Sequence, residues 1–333
     1  MRPLVSIFSG LILVVTSVGT VHAADKVTIV LDFTISGYHA PFFVAQDKGY
    51  FAEQGLEVSI SRGYGSGDTV KKVASGVADV GFNHPAPLII ANAEGGNLRS
   101  VMAYLNQEMC ATYSAVENAN VRTPKDIEGK IWGGPPGDVC TIMLTALAEK
   151  TRFDLGTVKM QQMDAPQRLP MLATGQIGVT GSFFDKDILF KKALEQAGKK
   201  MATFRYSQYI SMYSNGITVT QTTIDKRPEM VGKVVTAVLK GFKTTIANPA
   251  EAGAIIAKLY PEADKEYIRA SIDTLLEGMW DETTKSKGIG IFDAKKMQDT
   301  RDTVVKYWKL KTEPPLEQIF TNRFIEAAHK SVK

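Results

Sequence analysis

Aromatic, carboxylate and imidazole side chains are concentrated in one short segment near the start of the chain. Asp32, Phe33, Tyr38 and His39 lie within a few residues of one another. A carboxylate and an imidazole this close could act as an acid–base pair, although a carboxylate beside a turn more often accepts backbone hydrogen bonds. Aromatic rings beside polar groups could instead hold a flat ligand by stacking. The segment therefore predicts a site and leaves binding and catalysis both open.

Two later segments carry similar side chains. A glycine-rich turn contains Tyr64 and Ser66, and Asn83 and His84 follow the next apolar run. Glycines let backbone amides approach a ligand, while the tyrosine ring offers a stacking face. The turn lacks the Lys-Ser/Thr ending of a phosphate loop and only partly matches a dinucleotide-binding turn. A plain flexible turn and a structural histidine remain open alternatives.

The sequence contains few motifs that are typical of catalysis or metal binding. The sequence has neither a Gly-x-Ser-x-Gly elbow nor a His-Glu-x-x-His pair. Cys110 and Cys140 lack metal-ligand spacing to each other or to the four histidines. They could form one disulfide or remain two buried thiols. We expect no metal and no cofactor, and binding is favoured over turnover.

Short β-type runs alternate with helical stretches along the first part of the chain. Strands are predicted at 26–31, 56–61 and 78–82, with helices at 41–54 and 68–75 between them. This order implies a parallel sheet with helices on its faces. Because the loops after parallel strands gather at one edge, the candidate segments should meet there.

The same order begins again in the middle of the chain, with a predicted strand at 130–133 and a helix at 141–150. The stretches 72–82 and 171–183 share a helix end, a glycine turn, a short strand and an aromatic residue. Two similar lobes are therefore predicted. The candidate site residues of the second lobe are Asp138, Cys140 and Asp185.

Two β-rich stretches without helix signals, 109–116 and 209–220, are predicted to be paired hinge strands where the chain crosses between the lobes. The sequence after them is mostly helical, which is typical of a tail that packs back on the first lobe. We predict that lobe 1 contains residues 24–113 and 217–333, and that lobe 2 contains residues 114–216.

Length, charge and the N-terminus restrict the class of protein. The 333 residues suit two domains, and a net charge of +4 without charge blocks gives no basic face for nucleic acid. Arg2, the apolar run 11–15 and the small-x-small pattern at 21–23 predict a secretory signal peptide cleaved near Ala23. The apolar run is too short to span a membrane. We expect an exported, periplasmic protein.

The segment 31–45, followed by Gly49–Phe51 and Gly55–Val58, resembles the opening of the pyrimidine-synthase-like (NMT1/THI5-like) family of substrate-binding proteins. This family includes binding proteins for thiamine pyrimidine precursors and the nitrate, sulfonate and taurine receptors of ABC importers. The resemblance implies an α/β, two-lobed periplasmic-binding-protein fold of type II. Each lobe would be a parallel-rich sheet flanked by helices, with two crossover strands as the hinge. Such a protein closes on a small solute and delivers it to a membrane permease.

The chain also departs from the family pattern. Ile35-Ser36 replaces the Pro-Asn that is typical of the pyrimidine branch, and Gly178 stands where an acidic residue is usual. The cysteine-rich cluster of the eukaryotic pyrimidine synthases is missing from the sequence. Together with the signal peptide, this favours a binding protein over an enzyme.

Our favoured hypothesis is a monomeric receptor for an aromatic nitrogen heterocycle that resembles the thiamine pyrimidine, stacked by Phe33, Tyr38 or Tyr64. A receptor for a sulfonate or another small organic anion is the first alternative, although no arginine falls within the predicted cleft loops. A periplasmic enzyme that uses Asp32 and His39 is the second. The predicted ligand-binding residues are Asp32, Phe33, Tyr38, His39, Tyr64, Ser66, Asn83, His84, Asp138, Cys140 and Asp185.

Overall fold

The computed structural model describes residues 24–135 and 138–332. Within these residues the strands are β1 (Asp25–Val30), β2 (Leu56–Ser61), β3 (Val80–Asn83), β4 (Leu98–Ala103), β5 (Cys110–Ala115), β6 (Ile131–Gly134), β7 (Lys159–Gln162), β8 (Val179–Phe183), β9 (Met201–Arg205) and β10 (Gly216–Thr220). The helices are α1 (Ala40–Asp47), α2 (Tyr50–Glu53), α3 (Ser66–Ala74), α4 (Pro85–Ala93), α5 (Val139–Thr151), α6 (Arg168–Thr174), α7 (Asp187–Gln196), α8 (Gln221–Lys226), α9 (Pro228–Ala247), α10 (Pro249–Leu259), α11 (Lys265–Met279), α12 (Glu282–Lys287), α13 (Ala294–Tyr307), α14 (Leu316–Ile319) and α15 (Arg323–Ser331).

The strands form two five-stranded mixed sheets of matching topology. The first has the order β2-β1-β3-β10-β4 and the second the order β7-β6-β8-β5-β9. In each sheet the first three strands are parallel, and the fourth is antiparallel to both of its neighbours. The two lobes therefore correspond strand for strand, and the loops after β1, β2 and β3 have counterparts after β6, β7 and β8.

The two similar sequence stretches occupy equivalent places in the two sheets. α3 is followed by Gly76 with a φ of 76°, and α6 is followed by Gly175 with a φ of 79°. Glycine adopts this left-handed conformation without the Cβ clash that other residues incur, so the chain turns directly into the next strand. That strand is β3 in the first lobe and β8 in the second, and both are buried along their whole length.

Two segments, 104–109 and 206–215, carry the chain between the sheets, and they pair with each other. The backbone N–H groups of Tyr104 and Leu105 donate to the carbonyl of Asn215 at 3.1 and 3.0 Å, and that of Ser214 donates to the carbonyl of Leu105 at 3.1 Å. A paired crossing between two lobes is the usual construction of a hinge.

These crossing segments partly overlap the stretches that the sequence predicted as hinge strands. β5 pairs with β8 and β9 in the second sheet, and β10 pairs with β3 and β4 in the first. The prediction of two crossings between the lobes is confirmed, and residues 209–215 of the stretch 209–220 lie in the second crossing. The predicted pairing of 109–116 with 209–220 is wrong, because β5 and β10 complete different sheets. The predicted lobe boundary after residue 113 falls inside β5, and the exact division into 24–113, 114–216 and 217–333 stays a prediction.

The C-terminal helices pack mainly on the first lobe. α9 contacts α1 and α2, α15 contacts α9, and α11 contacts the short 3₁₀ helix Gly37–His39. The helix predicted at 41–54 is divided into α1 and α2. No helix of the described ranges is long and apolar enough to cross a bilayer. The predicted signal peptide lies in residues 1–23, outside the described residues.

Candidate functional site

A cleft lies where the loops of the two lobes face each other. It encloses about 570 Å³, including space that is open to solvent. The first lobe lines it from the loops after β1 and β2, and the second from the loops after β6, β7 and β8. The lining residues are Asp32, Phe33, Tyr38, Tyr64, Gly65, Ser66, Pro135, Asp138, Val139, Arg168, Ser182, Phe183 and Lys186.

The cleft brings together some of the predicted site residues and leaves others in its surroundings. Those that line it are Asp32, Phe33, Tyr38, Tyr64, Ser66 and Asp138. Those outside its lining are His39, Asn83, His84, Cys140 and Asp185. Asn83 donates its side-chain amide to the carbonyl of His84 at 3.0 Å, while its Oδ1 has no partner among the described residues. The other four residues have the structural partners described below.

The Asp32 carboxylate is the centre of a buried hydrogen-bond network at the floor of the cleft. The Tyr38 hydroxyl donates to it at 2.5 and 2.6 Å, and His39 Nε2 contacts it at 2.9 Å. The side-chain amide of Asn215, from the second crossing segment, donates to it at 2.7 Å. Asp32 is only 3% exposed. The network therefore joins the loop after β1 to the crossing between the lobes.

The hydrogen bond at Nδ1 of His39 shows which ring nitrogen carries the proton. Nδ1 of His39 accepts the backbone N–H of Ser36 at 3.1 Å, so Nε2 carries the proton and donates to Asp32. Burial raises the pKa of Asp32, but the hydrogen bonds from His39, Tyr38 and Asn215 outweigh it and leave this pKa below its ordinary value. Burial and the charge of Asp32 raise the pKa of Tyr38. The carboxylate is thus ionised and oriented by three donors before any ligand arrives, and it has acceptor capacity for a further donor.

His84 belongs to a second buried pair of the same kind. Its Nδ1 accepts the backbone N–H of Ala86 at 3.2 Å, and its Nε2 donates to Glu108 at 3.1 Å. Glu108 lies on the first crossing segment and also accepts the backbone N–H of Cys110 at 3.0 Å. The Ser66 hydroxyl accepts the backbone N–H of His84 at 3.0 Å. His84 therefore holds the start of α4 against the first crossing segment and lies outside the cleft lining.

Cys140 forms a disulfide with Cys110, with the two Cα atoms 5.3 Å apart. The sequence left the disulfide and two free thiols as alternatives, and the structure contains the disulfide. It joins the first residue of β5 to the first turn of α5, directly after the cleft residues Asp138 and Val139. Asp138 caps α5 by accepting the backbone N–H of Thr141 at 2.9 Å. The second-lobe wall of the cleft is thus tied to the strand beside the crossing segment.

Asp185 connects the two lobes. Its carboxylate accepts the Tyr267 hydroxyl at 2.9 Å and the Ser36 hydroxyl at 3.4 Å, both from the first lobe. Within its own lobe it pairs with Lys186 at 2.9 Å. Burial and the negative charge of Asp185 raise the pKa of Tyr267 well above its ordinary value, so the hydroxyl remains a donor.

Changing Tyr267 to phenylalanine is expected to weaken the contact between the lobes. The variant loses a hydrogen bond to a charged group, worth about 1.5–3 kcal/mol. We expect a larger radius of gyration for the ligand-free variant in small-angle X-ray scattering. Tyr50→Phe is the matched control, because its hydroxyl contacts Thr244 within the first lobe at 2.9 Å. Identical scattering from both variants would show that this contact does not hold the lobes together.

Sequence reasoning missed the basic side chains of the cleft. The expectation that no arginine lies in the cleft loops was wrong, because Arg168 lines the cleft while only 5% exposed. Lys186 also lines it and lies 5.9 Å from the centre of the Phe33 ring in the opposite lobe. The correspondence of the two sheets explains the position of Arg168, since the loop after β7 is the counterpart of the loop that carries Tyr64.

Tyr64 lies at the mouth of the cleft and is 71% exposed. Arg62 and Lys72 lie 4.7 and 5.3 Å from the centre of its ring. Cations at these distances are attracted to an aromatic face. They orient the ring at the cleft entrance and leave most of its surface free for a ligand.

The cleft contains no group suited to hold a metal. Among the described residues, no cluster of three or more histidine, cysteine, aspartate or glutamate side chains could ligate an ion. Its chemistry consists of aromatic faces, two carboxylates, two cations and hydroxyl groups. Such a lining can hold an organic molecule by stacking and hydrogen bonding.

Comparison with known proteins agrees with this construction. Residues 36–252, more than half of the chain, match the family model described as NMT1/THI5 like. The chain belongs to this family. The resemblance stated from the opening segment is thereby confirmed.

Two curated family relatives cover most of the chain. Riboflavin-binding protein RibY of Chloroflexus aurantiacus is 25% identical over 90% of this chain and 86% of its own length. Formylaminopyrimidine-binding protein of Halalkalibacterium halodurans is 22% identical over 77% of this chain and 78% of its own length. A yeast 4-amino-5-hydroxymethyl-2-methylpyrimidine phosphate synthase, THI11 of Saccharomyces cerevisiae, is 35% identical over only 26% of this chain and 25% of its own length.

The fold is shared with solved binding proteins. The putative periplasmic sulfonate-binding protein SsuA of Methylobacillus flagellatus superposes with a TM-score of 0.68 at 17% identity, over 94% of this chain and 96% of that one. The predicted two-lobed periplasmic-binding-protein fold is confirmed.

Proposed function

We propose that this protein is the solute receptor of an ABC importer and that it binds a small aromatic nitrogen heterocycle between its lobes. The observation that carries the proposal is the cleft lining, which combines the rings of Phe33, Tyr38, Tyr64 and Phe183 with the Asp32 carboxylate. Rings that stack on a flat ligand, beside a carboxylate that accepts its amino or ring N–H groups, are suited to a pyrimidine. Relatives named for riboflavin and formylaminopyrimidine support the same class of ligand.

The proposed affinity requires several contacts at once. An aromatic pair contributes about 0.5–1.5 kcal/mol beyond burial, and an ordinary hydrogen bond about 1 kcal/mol. Micromolar binding corresponds to about 8 kcal/mol, so stacking, hydrogen bonds and burial must combine. The network around Asp32 supports such binding because its groups are oriented in advance.

A receptor is favoured over an enzyme. Both relatives that cover most of the chain are named as binding proteins, whereas the synthase matches about a quarter of it. Asp32 and His39 are engaged with each other and with Ser36, and His39 is fully buried outside the cleft lining. The pair therefore orients the floor of the cleft. We propose that the exported protein works in the periplasm as a monomer and passes its solute to a membrane permease.

A receptor for a sulfonate or another organic anion is the second candidate, and one observation favours it. Arg168 and Lys186 line the cleft, where no arginine was expected from the sequence. Guanidinium and ammonium groups are the usual partners of anionic oxygens in proteins.

Calorimetric titration separates the two candidates. The purified protein would be titrated with pyrimidines, flavins, alkanesulfonates and nitrate, and each mixture analysed for products. We expect binding of at least one heterocycle, with the ligand recovered unchanged. Binding of alkanesulfonates alone would favour the second candidate, and a new product would indicate an enzyme.

Replacing Tyr64 with alanine is expected to weaken an aromatic ligand about tenfold, or about 1.4 kcal/mol, because a stacking face is lost. The control is Tyr307→Ala, since Tyr307 also carries a lysine over its ring, at 4.9 Å, but lies outside the cleft. Dissociation constants from calorimetry measure both effects. Unchanged affinity in the Tyr64 variant would remove this ring from the site.

A further inference from the structure

Arg168 is a buried cation whose charge no carboxylate of the described residues compensates. Its Nη1 donates to the carbonyl of Gly181 at 2.5 Å and its Nε to the carbonyl of Ala165 at 3.4 Å. No salt bridge joins it to an acidic side chain within residues 24–135 and 138–332. A charge that is buried without an opposite charge is unfavourable, unless a partner arrives with the ligand.

The other charged groups of the cleft have close partners of their own, and among them Lys186 has a partner of opposite charge. Lys186 pairs with Asp185 at 2.9 Å, and Asp32 is held by three side-chain donors. Asp138 accepts hydrogen bonds from the backbone and the hydroxyl of Thr141. Of the two cations that line the cleft, Arg168 is therefore the one without a carboxylate partner among the described residues, and it is the one available to pair with an anionic group of a bound molecule.

The Arg168 guanidinium is also oriented to pair with an anionic group of a bound molecule. The two carbonyl contacts fix its plane, while Nη2 forms no hydrogen bond to any described residue. Ser182, in the adjacent strand β8, also lines the cleft, and its hydroxyl has no partner among the described side chains. A fixed guanidinium and a hydroxyl that line the same cleft suit the oxygens of a carboxylate, sulfonate or phosphate.

We propose that the natural ligand is an acidic heterocycle whose anionic group pairs with Arg168 while its ring lies among Phe33, Tyr38 and Tyr64. This inference rests on the proposed function and deepens it. The aromatic lining and the arginine, which favour two different ligand classes when considered separately, then recognise two parts of one molecule. Carboxylate, sulfonate and phosphate share the required chemistry, and the ring is held on the Asp32 side.

Matched pairs of neutral and anionic heterocycles test the proposal. Uracil with orotate provides a carboxylate, and riboflavin with its 5′-phosphate provides a phosphate ester; ethanesulfonate and taurine lack a ring. The wild-type protein, Arg168→Gln, Arg168→Lys and Arg301→Gln are titrated with each. Arg301 is a suitable control because it is a largely buried arginine outside the cleft that pairs with Asp302 and Glu313.

The measured quantity is the ratio of affinities for the anionic and neutral members of a pair. General damage to the second lobe weakens both members equally, so the ratio isolates the interaction with the charge. We expect the wild type and Arg301→Gln to prefer the anionic member of at least one pair. The preference should fall about ten- to a hundredfold in Arg168→Gln and recover in part in Arg168→Lys.

The outcomes separate this inference from the proposed function. If heterocycles bind but the ratio is the same in the wild type and Arg168→Gln, the inference is wrong and the proposed function stands. If only ethanesulfonate or taurine binds, with loss in Arg168→Gln, the heterocycle is wrong and the arginine remains an anion anchor. If the wild type binds none of these compounds, both are overturned.

Discussion

Replacing Asp32 with alanine is expected to destabilise the protein by about 3–5 kcal/mol and to abolish ligand binding. The Tyr38 hydroxyl, His39 Nε2 and the Asn215 amide all donate to this carboxylate, and all three residues are buried. Without the carboxylate, these three groups lose their shared acceptor. Chemical denaturation measures the free energy of unfolding, and calorimetry the binding.

The control for this variant is Asp299→Ala, which removes a surface carboxylate paired with Lys295. Exposed pairs of this kind contribute at most about 1 kcal/mol. A similar loss of stability in both variants would contradict the role of Asp32 as the acceptor of a buried network.

The difference in the free energy of unfolding between the wild type and Asp32→Asn should decrease as the pH falls. The pKa of Asp32 lies below its ordinary value of 3.8, so the ionised form stabilises the folded protein. This contribution is complete above pH 4 or so and is lost as the pH falls through the lowered pKa of the folded state. Unfolding measured from pH 6 downwards should therefore show the two proteins converging in acid.

Loss of the disulfide is the second change with a large expected effect. The double variant Cys110→Ala/Cys140→Ala should lose about 3.5 kcal/mol, since the bond closes a loop across a sequence separation of 30 residues. Its ligand affinity should also fall, because the bond holds the start of α5, where Asp138 lines the cleft. Calorimetric melting and titration measure the two effects.

Reducing agent provides the control for this prediction. It should lower the melting temperature of the wild type towards that of the double variant and leave the variant itself unchanged. A wild type that melts at the same temperature with and without reduction, and matches the variant, would show that the bond contributes nothing to stability.

Local sequence patterns predicted the elements that carry strong hydrophobic and glycine signals. Leu56–Ser61 was predicted with its exact bounds, and the glycine turns after α3 and α6 identified the two equivalent halves. These features depend on residues close together in the chain. The same signals placed Asp32, Tyr64 and Asp138 beside the cleft, because each follows a predicted strand.

Other features depend on contacts that are distant in sequence. His39 and His84 were recognisable as polar residues in loops, but Asn215 and Glu108 decide which way their networks face. β7 is exposed along most of its length and lacks an alternating apolar pattern, so it gave no strand signal. Without that strand the following loop, and Arg168 with it, could not be placed at the cleft.

In the exported receptor that we propose, the bond between Cys110 and Cys140 would also link solute binding to the passage of the chain across the membrane. Thiols in the cytosol stay reduced, whereas exported proteins reach an environment in which they oxidise. A copy that has not yet crossed the membrane would lack the disulfide that holds the start of α5. Its affinity for the solute would therefore be lower. A newly made copy would thus bind little solute in the cytosol and would reach its full affinity only after export.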